Sequence, residues 1–291
     1  MTEVNCLWPA SATLGEGPVW CAREGCLYWV DIKAPALHRY RVSDGDTTSW
    51  AMPERVGWVI ERANGEGFVA GFKNRGFVFL TPGSMAVEVI GQPEPDYPDN
   101  RFNDAKADSA GRIWAGTMDD AEREASGNLY RLDPDLDWQR VDKGYVVSNG
   151  PALSPDERVL YHTDTFEGTI YAFDVSADGK LAGKRVFARI PEGDGYPDGM
   201  TCDAEGGLWV AHWAGWRISR FLPDGTLDRV IEMPVGLVTS CAFGGENLDR
   251  LFVTSASVGL SREDLEEQPL AGGLFEVATD VTGLPPGQFG G

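Results

Sequence analysis

Six short apolar segments recur along this chain at nearly even spacing. They read CLYWVDI from Cys26, GFVAGF from Gly67, RIWAGTM from Arg112, VLYHTDT from Val159, GLWVAHW from Gly207 and RLFVTSA from Arg250, so that successive starts lie 41 to 48 residues apart. Each is followed, after a turn, by a partner segment: ALHRYRV, RGFVFLT, GNLYRLD, GTIYAFDV, RISRFLP and GGLFEVA. Paired runs of β-branched and aromatic residues bounded by Gly, Asp, Asn or Pro are strand–turn–strand units. Repetition at ~40–50 residues is the spacing of four-stranded propeller blades. Six units use nearly all of the chain and leave no linker or low-complexity segment. The expectation is an all-β fold, a single six-bladed β-propeller domain spanning residues 1–291. A β-sandwich could hold the same strands but would not explain six even repeats.

The 36 Gly and 18 Pro are scattered along the chain and interrupt any long helical pattern. One short helical turn is expected in SREDLEEQPL (residues 261–270), with Ser261 as its N-cap. The N-terminal EVNCLW is expected to serve as the outer strand of the last blade, which closes the ring and removes an open edge.

Charge and cysteine content exclude several function classes. The 25 basic and 45 acidic residues give a formal charge of −20. A nucleic-acid partner would require a basic footprint, and an anionic membrane surface would repel this chain. No apolar run approaches the ~20 residues of a bilayer span. Five cysteines, an odd number without CxxC spacing, fit neither a disulfide framework nor a thiolate zinc site. The start MTEVNCLWPA has no basic and apolar leader pattern. A cytoplasmic protein with reduced, buried thiols is expected, and a closed propeller needs no partner to be stable, so a monomer is expected as well.

Propellers place their chemistry at the mouth of the central channel, on the innermost strands and the loops before them. Three segments just upstream of the repeats share one pattern. TLGEGPVW sets Glu16 between two glycines, VVSNGPALSPD sets Asn149 before Gly150 and Pro151, and GYPDGMTCDAEGGLWV sets Asp198 before Gly199. Taken singly, each could be an ordinary turn residue. Three matching segments in three blades instead suggest Glu, Asn and Asp oxygens converging on a metal site in the central channel. Such a set suits a hard divalent cation with water completing its shell. It offers no imidazole or thiolate to select a softer metal. A fourth segment, DNRFNDAKADSAGRIWAGTMD, adds Arg101 and Asn103, good hydrogen-bond donors for sugar hydroxyls or a carbonyl oxygen. In the same segment Asp104 and Asp108 read as structural.

With these pieces assembled, the chain resembles the regucalcin, senescence-marker and gluconolactonase family of six-bladed propellers. The matching motifs are LGEGPVW, RFNDAKADSAGRIWAGTMD, VSNGPALSPDERVLY, TIYAFDV and YPDGMTCDAEGGLWVAHW, in order, from about residue 12 to residue 278. The resemblance implies that Glu16, Asn149 and Asp198 are the ligands of one divalent metal ion and that Asp198 is also the catalytic base. It implies substrate contacts from Arg101 and Asn103. Animal relatives carry a substrate-contacting glutamate shortly after GTM, where this chain has Ala121; Asp119 is assigned in its place, with Glu122 as the other candidate.

The implied reaction is metal-dependent hydrolysis of a sugar lactone, a pentonolactone or hexonolactone, to its aldonic acid. Oxygen-only ligation admits Ca²⁺, Fe²⁺, Zn²⁺, Mn²⁺ or Mg²⁺. The rival readings are a calcium-binding protein of the regucalcin kind and a metal-dependent esterase or organophosphate hydrolase. A serine hydrolase is disfavoured, because Ser148 lies in no Gly-x-Ser-x-Gly elbow. His38, His162 and His212 are read as packed core residues, and Asp164 as a group bordering the channel. Trp29, Trp114 and Trp209 are expected to pack between blades, while Trp58 and the Trp213–Trp216 stretch are candidates for stacking on a sugar at the mouth.

Overall fold

The computed structural model describes residues 3–291. Its strands form six four-stranded antiparallel sheets arranged as a ring, the six-bladed β-propeller that the repeats predict. The innermost strands are Gly15–Cys21, Val56–Glu61, Asn100–Ala107, Ser148–Leu153, Tyr196–Cys202 and Val238–Gly244, for blades 1 to 6 in order. Neighbouring innermost strands contact one another around the ring.

The recurring apolar segments are the second strands of the blades. Cys26–Asp31, Phe68–Phe72 and Ile113–Asp119 are buried at every position, because each lies between two neighbouring blades. A strand covered on both faces shows a continuous apolar run. The outermost strands show the opposite pattern: Thr47–Ala51 alternates exposed and half-buried residues, and Leu181–Arg189 is mostly exposed and carries Lys184, Arg185 and Arg189. Charged residues on such an edge discourage pairing with another chain.

Large aromatic side chains wedge the blades together. Trp29, Trp114 and Trp209 are fully buried. Two of them share one anchoring device. In DSAGRIW, Asp108 accepts the Arg112 backbone N–H and also the Trp114 indole N–H at 3.0 Å. In DAEGGLW, Asp203 accepts the Gly207 backbone N–H and the Trp209 indole N–H at 2.8 Å. One carboxylate thus fixes both the turn and the wedge that follows it.

The ring closes as expected: the strand Val4–Trp8 pairs antiparallel with Leu274–Ala278, so blade 6 is built from both ends of the chain. The short helix Arg262–Glu267 is capped by the Ser261 side chain. All five cysteines are free. Among the described residues, no helix is long and apolar enough to cross a membrane.

One element carries no repeat signal. Residues 279–291 run back beneath the ring. Ala204 donates its backbone N–H to Thr282, Phe289 donates to Glu61, and Gly290 donates to Gly111. Phe289 is fully buried in the core shared by blades 2 and 3. This strap crosses the end of the channel opposite the starts of the innermost strands.

Candidate active site in the channel

Every innermost strand breaks its ladder at an equivalent place. The register shifts fall between Glu16 and Val19, Val56 and Trp58, Phe102 and Ala105, Asn149 and Ala152, Pro197 and Met200, and Val238 and Ser240. A bulge re-aims side chains and increases local twist. Here the bulges account for the Gly-flanked motifs. Gly17 and Gly150 adopt φ of 54° and 68°, which favours glycine, and the residues just before them are Glu16 and Asn149. Gly199, next to Asp198, is required for another reason: a Cβ there would lie 2.2 Å from the Ser240 hydroxyl of blade 6.

Glu16, Asn103, Asp104, Asn149 and Asp198 are all buried. Asn103 donates its amide to the Ser148 carbonyl and to Asn149 Oδ1, both at 2.9 Å. Asn149 donates its own amide to Thr165 Oγ1 at 3.0 Å, and the Thr165 hydroxyl donates to the Pro197 carbonyl beside Asp198 at 2.9 Å. Blades 3, 4 and 5 are therefore joined through Asn149, and its carbonyl oxygen is held in a fixed direction.

Among the described residues no cation bonds to these carboxyls, although Arg101 acts on Glu16 and Asp198, and Lys106 on Asp104, from a distance. Among the same residues Glu16 accepts its neighbour's backbone N–H, Gly17 at 3.0 Å, and Asp198 Oδ1 is buried without a hydrogen-bond partner. Burial, followed by the charge of Asp104, pushes Glu16 up to about 8. Burial, followed by the charges of Glu16 and Asp104, raises Asp198 well above the usual carboxylate range. Asp104 is raised by burial as well. Among the described residues no three His, Cys, Asp or Glu side chains come close enough to hold an ion by themselves, so the Asn149 carbonyl and water would have to complete any shell. Two buried carboxyls that repel each other, one with an orphaned oxygen, beside a directed amide carbonyl fit a hard divalent cation.

Arg101 is buried and tied down on two sides. Its Nη1 donates to Asn103 Oδ1 at 2.5 Å and to the Phe102 carbonyl, and its Nε donates to Asp120 at 3.0 Å. Nη2 has no protein partner among the described residues and is the donor left for a ligand. Asn103 has both amide hydrogens engaged, so the structure gives it to the support of Asn149. Asp119 is likewise committed: its carboxylate accepts the backbone N–H groups of Ala121, Arg123 and Glu124 at 3.0–3.2 Å, which hold it below the usual carboxylate range. The acidic residue that meets Arg101 is the next one, Asp120.

Beyond the bulges the channel opens into a cavity of about 390 Å³, lined by Asp104 and Lys106 and floored by Leu284, Pro285, Pro286 and Gly287 of the strap. Asp104, read from the sequence as structural, faces this space and acts on both Glu16 and Asp198. Its position directly after Asn103, inside the blade 3 bulge, was the available signal. Trp58 is not at the mouth; it is buried against Phe77 and Phe102. Trp216 is exposed at the rim where the innermost strands begin, as are Phe166 and Tyr196. His162 is sealed between Tyr145 and Ser148, and burial lowers it to about 3.

Residues 14–257 match the family described as SMP-30/Gluconolactonase/LRE-like region. The chain belongs to this family. It is 36% identical to an L-arabinolactonase of Azospirillum brasilense, over 96% of this chain and 93% of that one. It is 34% identical to a 6-deoxy-6-sulfogluconolactonase of Pseudomonas putida, over 99% of both chains. Among solved structures, a calcium-binding protein, regucalcin, from Agrobacterium tumefaciens superposes with a TM-score of 0.94 at 25% identity, covering 99% of this chain and 97% of the other.

Proposed function

We propose that this member of the family hydrolyses a sugar lactone to its aldonic acid, with one divalent cation held by Glu16, Asn149 and Asp198. The observation that carries the reading is the orphaned, buried Asp198 Oδ1 on a carboxyl close enough to the buried Glu16 for their charges to repel. The names of the L-arabinolactonase and the 6-deoxy-6-sulfogluconolactonase support the lactone as substrate class. When bound, the cation supplies Lewis acidity toward the lactone carbonyl oxygen and offsets the charge of the two carboxylates.

The chain's own residues do the rest. Water attacks the carbonyl carbon while Asp198 takes its proton, and the ring C–O bond then breaks as the proton is returned to the leaving alkoxide. Arg101 Nη2 offers a charged donor to a substrate oxygen. Asn103 holds Asn149, and Thr165 fixes the opposite end of that amide.

Acid release from gluconolactone and xylonolactone, followed with a pH indicator, tests the reading. Chelator-stripped protein should match the spontaneous rate, and protein refilled with its preferred ion should exceed it at least a hundredfold. Protein that binds a cation tightly yet accelerates neither lactone, nor any other in a panel, would be a calcium-binding propeller and would sink the enzymatic reading. Turnover of aryl esters or organophosphates alone would replace the lactone as substrate class.

A further inference from the structure

On the rim where the innermost strands begin, one carboxylate holds four cations. Asp120 Oδ1 accepts from Arg101 Nε at 3.0 Å and lies 3.5 Å from Lys33 Nζ. Asp120 Oδ2 accepts from Lys73 Nζ at 2.8 Å and from Arg55 Nη1. Lys33 follows the strand Cys26–Asp31, Arg55 precedes Val56–Glu61, Lys73 follows Phe68–Phe72, and Asp120 follows Ile113–Asp119. The group therefore gathers side chains from blades 1, 2 and 3 at the end of the channel that carries Glu16 and Asn149.

Among the described residues Asp120 is the one acid bonded to the three rim cations Lys33, Arg55 and Lys73. The other acids that act on the group are the exposed Glu122, near Arg101 and Lys33, the exposed Asp99, near Lys73, and, from the channel side, Glu16 and Asp198, which reach Arg101 and are the carboxyls assigned to the cation. The four cations are not surface decoration: Lys33, Lys73 and Arg55 keep 22%, 23% and 33% of their side chains exposed, and Arg101 keeps 3%. A chain with a formal charge of −20 gains no solubility from crowding cations against one another. Half-buried like charges repel, and a single carboxylate with two oxygens cannot satisfy two guanidinium forks and two ammonium groups. What the arrangement lacks is an anion with several oxygens.

Position gives the anion a role. Arg101 bonds to Asp120 on one side and to Asn103 on the other, and Asn103 holds Asn149. A group seated among Lys33, Arg55 and Lys73 would lie one arginine side chain from the candidate reacting centre. The rim of blades 4 and 5 has a different character, with Phe166, Tyr196 and Trp216 exposed. One side of the mouth is thus built for charge and the other for an apolar ring face.

We propose that the cluster receives a sulfonate or phosphate carried by the lactone at a position remote from its carbonyl, so that the preferred substrate is an anionic sugar lactone. The proposal rests on the lactonase reading. Tetrahedral oxyanions of this kind accept hydrogen bonds from several cations at once.

The test compares glucono-1,5-lactone, its 6-phosphate and its 6-deoxy-6-sulfonate as substrates for the cation-loaded protein. The variant is Lys33→Met/Lys73→Met, which keeps the packed stems and removes two charges away from the catalytic machinery. The wild type should favour the phosphate or the sulfonate over the neutral lactone at least tenfold in kcat/KM, and the two arms tell which group is taken. Added salt should shrink that preference. The double variant should lose tenfold or more on the charged lactone, mainly through KM, and keep the neutral lactone within twofold. Lys73→Met alone serves if the double variant does not fold, with a smaller loss of the same kind. Equal use of all three lactones by the wild type, or equal losses on all three in the variant, overturns the anion site while leaving the lactonase reading intact. If no lactone turns over, the lactonase reading fails, and calorimetric binding of 6-phosphogluconate decides the cluster separately: binding weakened tenfold in the variant keeps the anion site, and no binding removes it.

Discussion

Asn103 Nδ2 lies 2.9 Å from Asn149 Oδ1, a hydrogen bond from blade 3 to blade 4 across the channel wall. The acceptor is the oxygen proposed to face the cation, and a carbonyl has a second lone pair to spare. Removing the donor leaves the Asn149 amide anchored only through Thr165. Supporting residues of this kind typically change metal affinity by ~10–100-fold. Asn103→Ala should weaken cation binding about tenfold in calorimetry, with near-wild-type kcat at saturating ion. Unchanged affinity would show that Asn149 does not need its partner.

The Glu16 carboxyl gives the metal-free protein a pH dependence of definite sign. Its folded value is raised from near 4.5 to about 8, first by burial and then by Asp104. The folded state therefore favours the protonated form, and the stability this contributes is complete below about 4.5 and lost as pH rises through about 8. The buried histidines His162 and His212 are lowered to about 3 and about 4, so their contribution runs the other way and acts only below their unfolded value of about 6.5. Between pH 6.5 and 8 the Glu16 effect stands free of them. Chelator-treated protein should lose Tm across that window, roughly 5 °C or more. A bound divalent cation should abolish the loss. Calorimetric scans with and without ion read this directly, and Glu16→Gln should make the chelated curve shallower, the remaining slope coming from Asp198 and Asp104, which burial raises in the same direction.

Phe289 tests the strap. It is fully buried in the blade 2–blade 3 core beside Phe79, and its backbone bonds to Glu61 and Ala63. Truncating a buried Phe to Ala costs about 3–5 kcal/mol when the site cannot collapse. Phe289→Ala should lower stability by about 3 kcal/mol in urea unfolding. Because the strap floors the cavity below the candidate site rather than forming its walls, KM should stay within threefold.

What the sequence revealed, and what it concealed, follows from range. The blades were legible because their second strands are covered on both faces and so read as apolar runs at an even period. Glu16, Asn149 and Asp198 could be picked out because each precedes a glycine, required at 17 and 150 by the left-handed backbone and at 199 by Ser240 of the next blade, a local signal. Asp104 was passed over because a turn-rich segment surrounds it, and only the ring brings it beside two other carboxyls. The Asp120 cluster was invisible for the same reason, being drawn from five segments that meet at the rim. Trp58 was misplaced because the room made for its indole lies elsewhere: a Cβ on Gly71 would approach Trp58 Nε1 to 2.4 Å. Residues 279–291 belong to no repeat, so their role as a floor had no period to announce it.

The identity of the proton carrier is open to a paired test. Among the described residues Asp198 has a buried oxygen with no partner, whereas His162 is sealed at 0% exposure and its Nε2 meets Ser148 Oγ at 3.4 Å. Burial lowers His162 to about 3, so it is a weak proton acceptor across the working range, and its burial leaves it no contact with solvent. A general base contributes typically ~10²–10⁴-fold. Asp198→Asn should keep an oxygen for the cation, hold cation affinity within about tenfold and lose at least a hundredfold in kcat for the lactone. His162→Gln should lower Tm but leave kcat within threefold and the pH–rate profile unmoved. A profile that shifts with His162→Gln, or an Asp198→Asn variant with full kcat, would move the proton from blade 5 to blade 4.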